Sequence, residues 1–172
     1  MINLTKCLLY FALIGVTGFI LGRVLPKSMF SGDRFPFRLF PWEKQGTVYN
    51  LLGVRKWKEK VPDMSVILPK RMPSKRLPKD ATSSQIELMV QETCVAEWIH
   101  GLLCIAGFGC VFIWRSVWGW AVSILYFLGN IPFIIIQRYN RPKLTRILQR
   151  LRAKESVHEK CDYFELQHGT GA

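Results

Sequence analysis

Three apolar runs constrain this chain more than any other feature. They extend from about Cys7 to Leu25, from about Glu97 to Trp114 and from about Trp118 to Gln137. A helix that crosses a bilayer needs roughly 20 apolar residues, and lipid leaves its backbone no hydrogen-bond partners except its own. Only Arg115-Ser116-Val117 separates the second run from the third, so those two are expected to form a helical hairpin. The expected fold is therefore an all-α integral membrane protein. It has three transmembrane helices, two of them as a hairpin, plus interfacial amphipathic helices. Residues 1–154 form one membrane-embedded domain on this reading, and residues 155–172, which lack an apolar period, form a disordered tail.

The distribution of basic residues orients the spans. The 172 residues carry 24 Lys and Arg against 12 Asp and Glu, a formal net charge of +12. Such an excess suits nucleic acid or anionic lipid. The apolar runs favour lipid, and no zinc-finger spacing or RNA-binding signature is present. Lys6 precedes the first run and Arg115 sits at the hairpin tip. Residues 26–83 and the chain after Gln137 carry nearly all the rest. The positive-inside rule then puts the large loop and the C-terminus in the cytoplasm and the N-terminus outside. The first run also resembles a signal peptide, but it lacks a small-x-small cleavage site before Arg23, which favours an uncleaved anchor. Five scattered cysteines without a C-x-x-C pair argue against a disulfide framework.

Between the spans, Phe35-Pro36-Phe37-Arg38-Leu39-Phe40-Pro41-Trp42 alternates aromatics with prolines and is expected to lie along the headgroup zone. Val48, Leu51 and Leu52 suggest one apolar helical face. Pro69, Pro73 and Pro78 mark an extended basic segment. Ser84-Gln85-Ile86-Glu87 reads as a capping box opening a long helix. In that helix Ile86, Val90, Thr93, Glu97, His100 and Cys104 are spaced by three or four and share one stripe. Pro132 is expected to kink the third span, and Pro142 to open an interfacial amphipathic helix with Leu144, Ile147, Leu148 and Leu151 on its apolar face.

Two polar clusters fall on one side of the membrane in this topology. Ala96-Glu97-Trp98-Ile99-His100 opens the second span, and Gln137-Arg138-Tyr139-Asn140-Arg141 closes the third. Ionisable groups at membrane depth are costly and tend to mark function. Glu97 lies one turn before His100 on the same face, where a carboxylate can orient an imidazole that acts as general base toward a hydroxyl. The plain alternative is a polar pair that joins helices. Glu-x-x-His is also a di-iron ligand spacing, with Glu43, Asp63 and Glu92 as further carboxylates but no second such motif. Arg138 and Arg141, three apart, can grip a phosphate as forks, or can simply snorkel at the boundary. No nucleophile elbow, P-loop or dinucleotide fingerprint is present.

Four motifs, Glu43-Lys44-Gln45-Gly46, Val54-Arg55-Lys56-Trp57-Lys58, Ala96-Glu97-Trp98-Ile99-His100 and Gln137-Arg138-Tyr139-Asn140-Arg141-Pro142, occur in the order seen in one family. Over about Leu21 to Lys154 the chain resembles the glycosyl-4,4'-diaponeurosporenoate acyltransferases of staphyloxanthin biosynthesis. The resemblance implies a membrane enzyme that esterifies the primary hydroxyl of a carotenoid-linked glucose with a fatty acyl chain. It implies a carotenoid glycoside acceptor and a fatty acyl donor, while the basic loop is expected to attract anionic lipid and the phosphates of a donor such as acyl-CoA.

The residues then expected to act are His100 and Glu97 in catalysis. Arg138, Arg141, Asn140, Gln137, Tyr139, Trp57, Lys58 and Glu43 are expected to bind substrate, the arginines through the donor's phosphate and Asn140 and Gln137 through the sugar or the developing oxyanion. No cofactor, resident metal or nucleic acid is expected. The site would face the cytoplasm on a multi-pass protein of the cell membrane. The competing classes are a non-enzymatic membrane protein that binds lipid or assists assembly, and a metal-dependent lipid-modifying enzyme.

Overall fold

A computed structural model describes residues 2–61 and 81–168. Among them every regular element is helical. Helix α1 (Ile2–Val24) is followed by a loop that carries two single-turn helices, α2 (Val48–Leu51) and α3 (Val54–Trp57). Then come α4 (Ser83–Ala106), a 3-10 turn at Gly107–Gly109, α5 (Cys110–Ile113) and the 52-residue α6 (Val117–His168). Three stretches, Ile2–Val24, Ser83–Ile113 and Val117–Val157, are long and apolar enough to cross a membrane. The extended basic segment at Pro69–Pro78 lies outside the described residues, as does Asp63.

The three spans run up, down and up. At one end of α1 the Tyr10 hydroxyl donates to the Ala106 carbonyl at 2.8 Å. At the other, Gly18 and Gly22 let α1 approach Ile99, Leu103 and Val95. The hairpin turns tightly: a Cβ on Gly119 would stand 2.0 Å from the Trp114 carbonyl oxygen, so only glycine fits. Beyond it α6 packs antiparallel along α4, with Ser123 donating to the Gly107 carbonyl at 3.1 Å and Arg152 bridging Glu87 at 2.7 Å. The stripe expected on α4 is the inner face: Ile86, Val90, Thr93, Glu97 and Cys104 are buried.

Four local expectations are corrected. The capping box is Thr82 with Gln85, not Ser84 with Glu87; Thr82 Oγ1 accepts from the Gln85 backbone and Gln85 Oε1 from the Thr82 backbone. Glu87 is occupied by Arg152 instead. Pro142 does not open a new helix, because α6 continues through both Pro132 and Pro142. A proline removes one N–H from the ladder, and the packing on either side holds the rest. The tail from residue 155 is helical as far as His168. The face of Val48, Leu51 and Leu52 is not the buried one. Leu51 and Leu52 are exposed, while Tyr49 and Val54 are buried against Tyr139, because Gly53, at φ 62°, breaks the helix between them.

The aromatic–proline stretch also folds differently from a simple strip along the headgroups. Phe35 and Trp42 are exposed, but Phe37 is buried with Phe30, Cys94, Val95 and Ile99. The loop therefore folds back over one end of the bundle, the end where the two polar clusters meet.

Candidate active site

The site is built around two guanidiniums on consecutive turns of α6. Arg138 donates through Nε to Glu97 Oε1 at 2.8 Å, through Nη1 to both oxygens of Glu43 at 2.9 Å, and through Nη2 to the Pro36 carbonyl at 2.8 Å. Arg141 donates through Nε to Thr93 Oγ1 at 3.0 Å, through Nη1 to the Phe37 carbonyl at 2.6 Å, and through Nη2 to the Thr93 carbonyl and Glu97 Oε2. Phe40 and Phe37 lie under the two guanidiniums, with ring centroids 5.1 and 5.7 Å away. Both carboxylates are buried, and Arg141 is only 2% exposed. Burial of unpaired charge would be prohibitive, and here every charge has an opposite partner and further hydrogen bonds.

Glu43 is held from the loop side as well. The Tyr49 hydroxyl donates to Oε1 and the Phe40 backbone N–H to Oε2 at 2.6 Å. Burial alone pushes the Glu43 carboxyl up; the hydrogen bonds from Tyr49, Phe40 and Arg138 outweigh it, so the group sits below its ordinary value. Burial pushes the Tyr49 phenol up, and the Glu43 hydrogen bond and charge add to that. Gly46, at φ 86°, carries the chain past α6; a Cβ there would lie 3.0 Å from Pro142 Cγ and 3.8 Å from the Arg138 carbonyl oxygen. Pro142, four residues on, has no N–H to give that carbonyl.

Beside this network, Lys58 Nζ reaches Asn140 Oδ1 at 3.3 Å and sits 5.3 Å from the centre of the Tyr139 ring. Lys143 Nζ is 3.4 Å from the same centre. Trp57 packs on the cluster formed by Tyr49, Val54 and Tyr139. Gln137 is half-buried one residue before Arg138. One turn deeper, His100 Nδ1 lies 2.9 Å from Asn130 Oδ1, and its ring stacks on Phe133 at 4.6 Å and 8°.

The residues singled out in sequence therefore converge, but their pairings differ from those expected. Both oxygens of Glu97 accept from arginine, and the partner on His100 Nδ1 is Asn130. The arginines meet glutamates and loop carbonyls rather than presenting open forks to a donor phosphate. Glu43, grouped with the substrate-binding residues, is fully buried as an ion partner. Among the described residues the Glu-x-x-His spacing does not grow into a ligand set. Among the described residues no three His, Cys, Asp or Glu side chains gather, and Glu92 is bound to Lys27 at 2.5 Å. Tyr49, Thr93 and Asn130 were not visible as site residues in the sequence. Thr93 lay on the expected stripe, which was the only signal for it.

The profile of one family, described as glycosyl-4,4'-diaponeurosporenoate acyltransferase, matches residues 26–150. That stretch includes every residue of the network. The chain belongs to this acyltransferase family. Relatives that carry the family's name are found in Staphylococcus aureus. The protein of strain bovine RF122 / ET3-1 is 32% identical over 157 residues, covering 89% of this chain and 92% of its own length. Those of strains N315 and Newman are also 32% identical, with the same coverage. No solved structure matches the chain. The family assignment leaves the acyltransferase reading in place of the non-enzymatic one.

Proposed function

We propose that this chain esterifies a sugar hydroxyl of a glycosylated carotenoid, or of a related glycolipid, with a fatty acyl chain from an activated donor such as acyl-CoA. One observation carries the reading. Four short motifs up to about a hundred residues apart meet at one end of a membrane bundle, through Glu43–Arg138, Glu97–Arg138, Glu97–Arg141 and Lys58–Asn140. An amphipathic sugar conjugate places its headgroup at that level while its polyene stays in lipid. The relatives are named for action on glycosyl-4,4'-diaponeurosporenoate, whose glycoside fits this placement.

In the reaction His100 takes the proton of the sugar hydroxyl through its second ring nitrogen. The hydroxyl oxygen bonds to the acyl carbonyl carbon, the carbon–sulfur bond of the thioester breaks, and the imidazolium returns the proton to the departing thiolate. The products are an ester and a thiol. Asn140 and Gln137 supply amides for the sugar or the oxyanion. Tyr139 and Trp57 supply surfaces on which a sugar can rest. Lys58 and Lys143 are the ammonium groups placed to meet a donor's phosphates. Arg138, Arg141, Glu97 and Glu43 lock α4, α6 and the loop in register, which keeps His100 beneath the headgroup level. The site faces the cytoplasm, where the basic loop meets anionic lipid and soluble acyl-CoA.

The test is chemical. Membranes containing the protein, supplied with glycosyl-4,4'-diaponeurosporenoate and palmitoyl-CoA, are extracted and analysed by mass spectrometry. The glycoside should gain one acyl chain, and His100→Ala should lower the rate about 10²–10⁴-fold while the protein stays in the membrane. Full activity in His100→Ala would reject the base. An unmodified glycoside with an intact protein, given the cell's own acyl donors as well, would reject the reaction.

A further inference from the structure

We propose that Asn130 is the positioning residue that makes His100 a base. It holds the imidazole in the tautomer with the proton on Nδ1 and the lone pair on Nε2. The inference rests on His100 as the proton acceptor of the proposed reaction.

The tautomer follows from a chain of donors and acceptors. Asn130 Nδ2 is 2.9 Å from the Tyr126 carbonyl oxygen, one turn earlier on α6. A carbonyl oxygen only accepts, so the amide NH2 must face it. That leaves the amide oxygen toward the ring, where it lies 2.9 Å from His100 Nδ1. An amide oxygen also only accepts, so Nδ1 carries the hydrogen. In a neutral imidazole the other nitrogen is then the acceptor, and which nitrogen that is depends on the bond its partner makes.

The surroundings support a positioning role rather than a charge relay. Asn130 is 7% exposed and sits inside an apolar helix, where its amide would be costly without partners. Both ends of that amide are bonded. Phe133, one turn later, stacks on the imidazole and fixes its plane. Among the described residues, Glu97 and Cys104 share the α4 stripe with His100, and Arg138 and Arg141 on α6 engage Glu97. Asn130 is neutral, so it selects a tautomer without adding a charge to hold the proton. A base that must pass its proton to a departing thiolate is served by that arrangement.

The decisive measurement is the nitrogen-15 spectrum of the histidine ring in the full chain in detergent. Changing His158 and His168 to Gln leaves His100 as the sole histidine. The neutral ring should show its proton on Nδ1; a proton on Nε2 overturns the inference whatever the variants do. Asn130→Leu, similar in size but without the acceptor, should release the tautomer and cut formation of acylated glycoside about 10²–10⁴-fold. Asn130→Asp keeps an acceptor against Nδ1 but loses the donor to the Tyr126 carbonyl and adds a charge that holds the proton. The Nδ1 proton should therefore stay in the spectrum while the rate stays below that of the unaltered chain. An unchanged spectrum and rate in Asn130→Leu would also overturn it. Loss of activity in His100→Ala with full activity in Asn130→Leu rejects the positioning role alone. Full activity in His100→Ala rejects the base on which it rests.

Discussion

Replacing Glu43 by Gln isolates the energetics of the buried network. The side chain keeps its shape and loses its charge. In the structure that carboxylate is 0% exposed and takes both contacts from Arg138 Nη1, plus the Phe40 N–H and the Tyr49 hydroxyl. Four-sided acceptance cannot be reproduced by an amide, whose nitrogen would face a donor. Arg138 and Arg141 would be left to share the single carboxylate of Glu97. Removal of one partner from a buried pair costs about 3–5 kcal/mol. For a chain of this size that is a fall in Tm of roughly 6–20 °C. Thermal unfolding followed by tryptophan fluorescence in detergent measures it. The control is Arg152→Gln, which removes a bridge whose two side chains are 54% and 45% exposed and should cost less than about 1 kcal/mol. In an Arg138→Met background the Glu43→Gln cost should shrink by up to about 3 kcal/mol, the coupling expected of groups in one network. A Glu43→Gln loss no larger than that of Arg152→Gln, or equal losses in both backgrounds, would refute the reasoning.

Further outcomes follow from the same geometry. The carboxyl of Glu43 sits below its ordinary value, so its contribution is present above that value and is lost as pH falls through the lowered one. The phenol of Tyr49 is raised, so its contribution is complete below the ordinary tyrosine value and lost as pH rises beyond it; Tm against pH should be flat between these limits and fall outside both. Gly119→Ala should destabilise the hairpin by about 1–3 kcal/mol through overpacking against Trp114, whereas Gly129→Ala meets nothing within 4 Å and should be neutral or stabilising in the same melt. A cysteine introduced at exposed Arg38 should react with an impermeant maleimide only in inside-out vesicles, and labelling in intact cells would reverse the proposed orientation.

Large-scale organisation was legible because it rests on local patterns. Hydropathy marks the spans, and the period of three and four from Ile86 to Cys104 marks the inner face of α4. The meeting of the Glu97 and Arg138 clusters followed from counting spans. Pairing was less legible, because it depends on how helices slide and rotate against one another. Glu97 and His100 are neighbours along α4, yet Glu97 turns to partners 41 and 44 residues away. Asn130 lies two residues before the proline expected to kink its span. Its role depends on α6 packing against α4 so that its amide meets His100. The break at Gly53 shows the same limit at short range, since a left-handed residue between two turns redirects the apolar face without altering the sequence pattern.

The ion network also sets an order of assembly. Glu43 and Glu97 precede both arginines in the chain, and neither acid has its cationic partner until the third span has been made. During synthesis the N-terminal parts emerge first. The loop over the bundle end therefore cannot take its final position while the chain stops at the hairpin. Until then, two carboxylates wait at the membrane boundary for charges more than forty residues away. A truncation after the hairpin tip should accordingly leave that loop as open to protease as an unfolded segment, although two of its three spans are already in place.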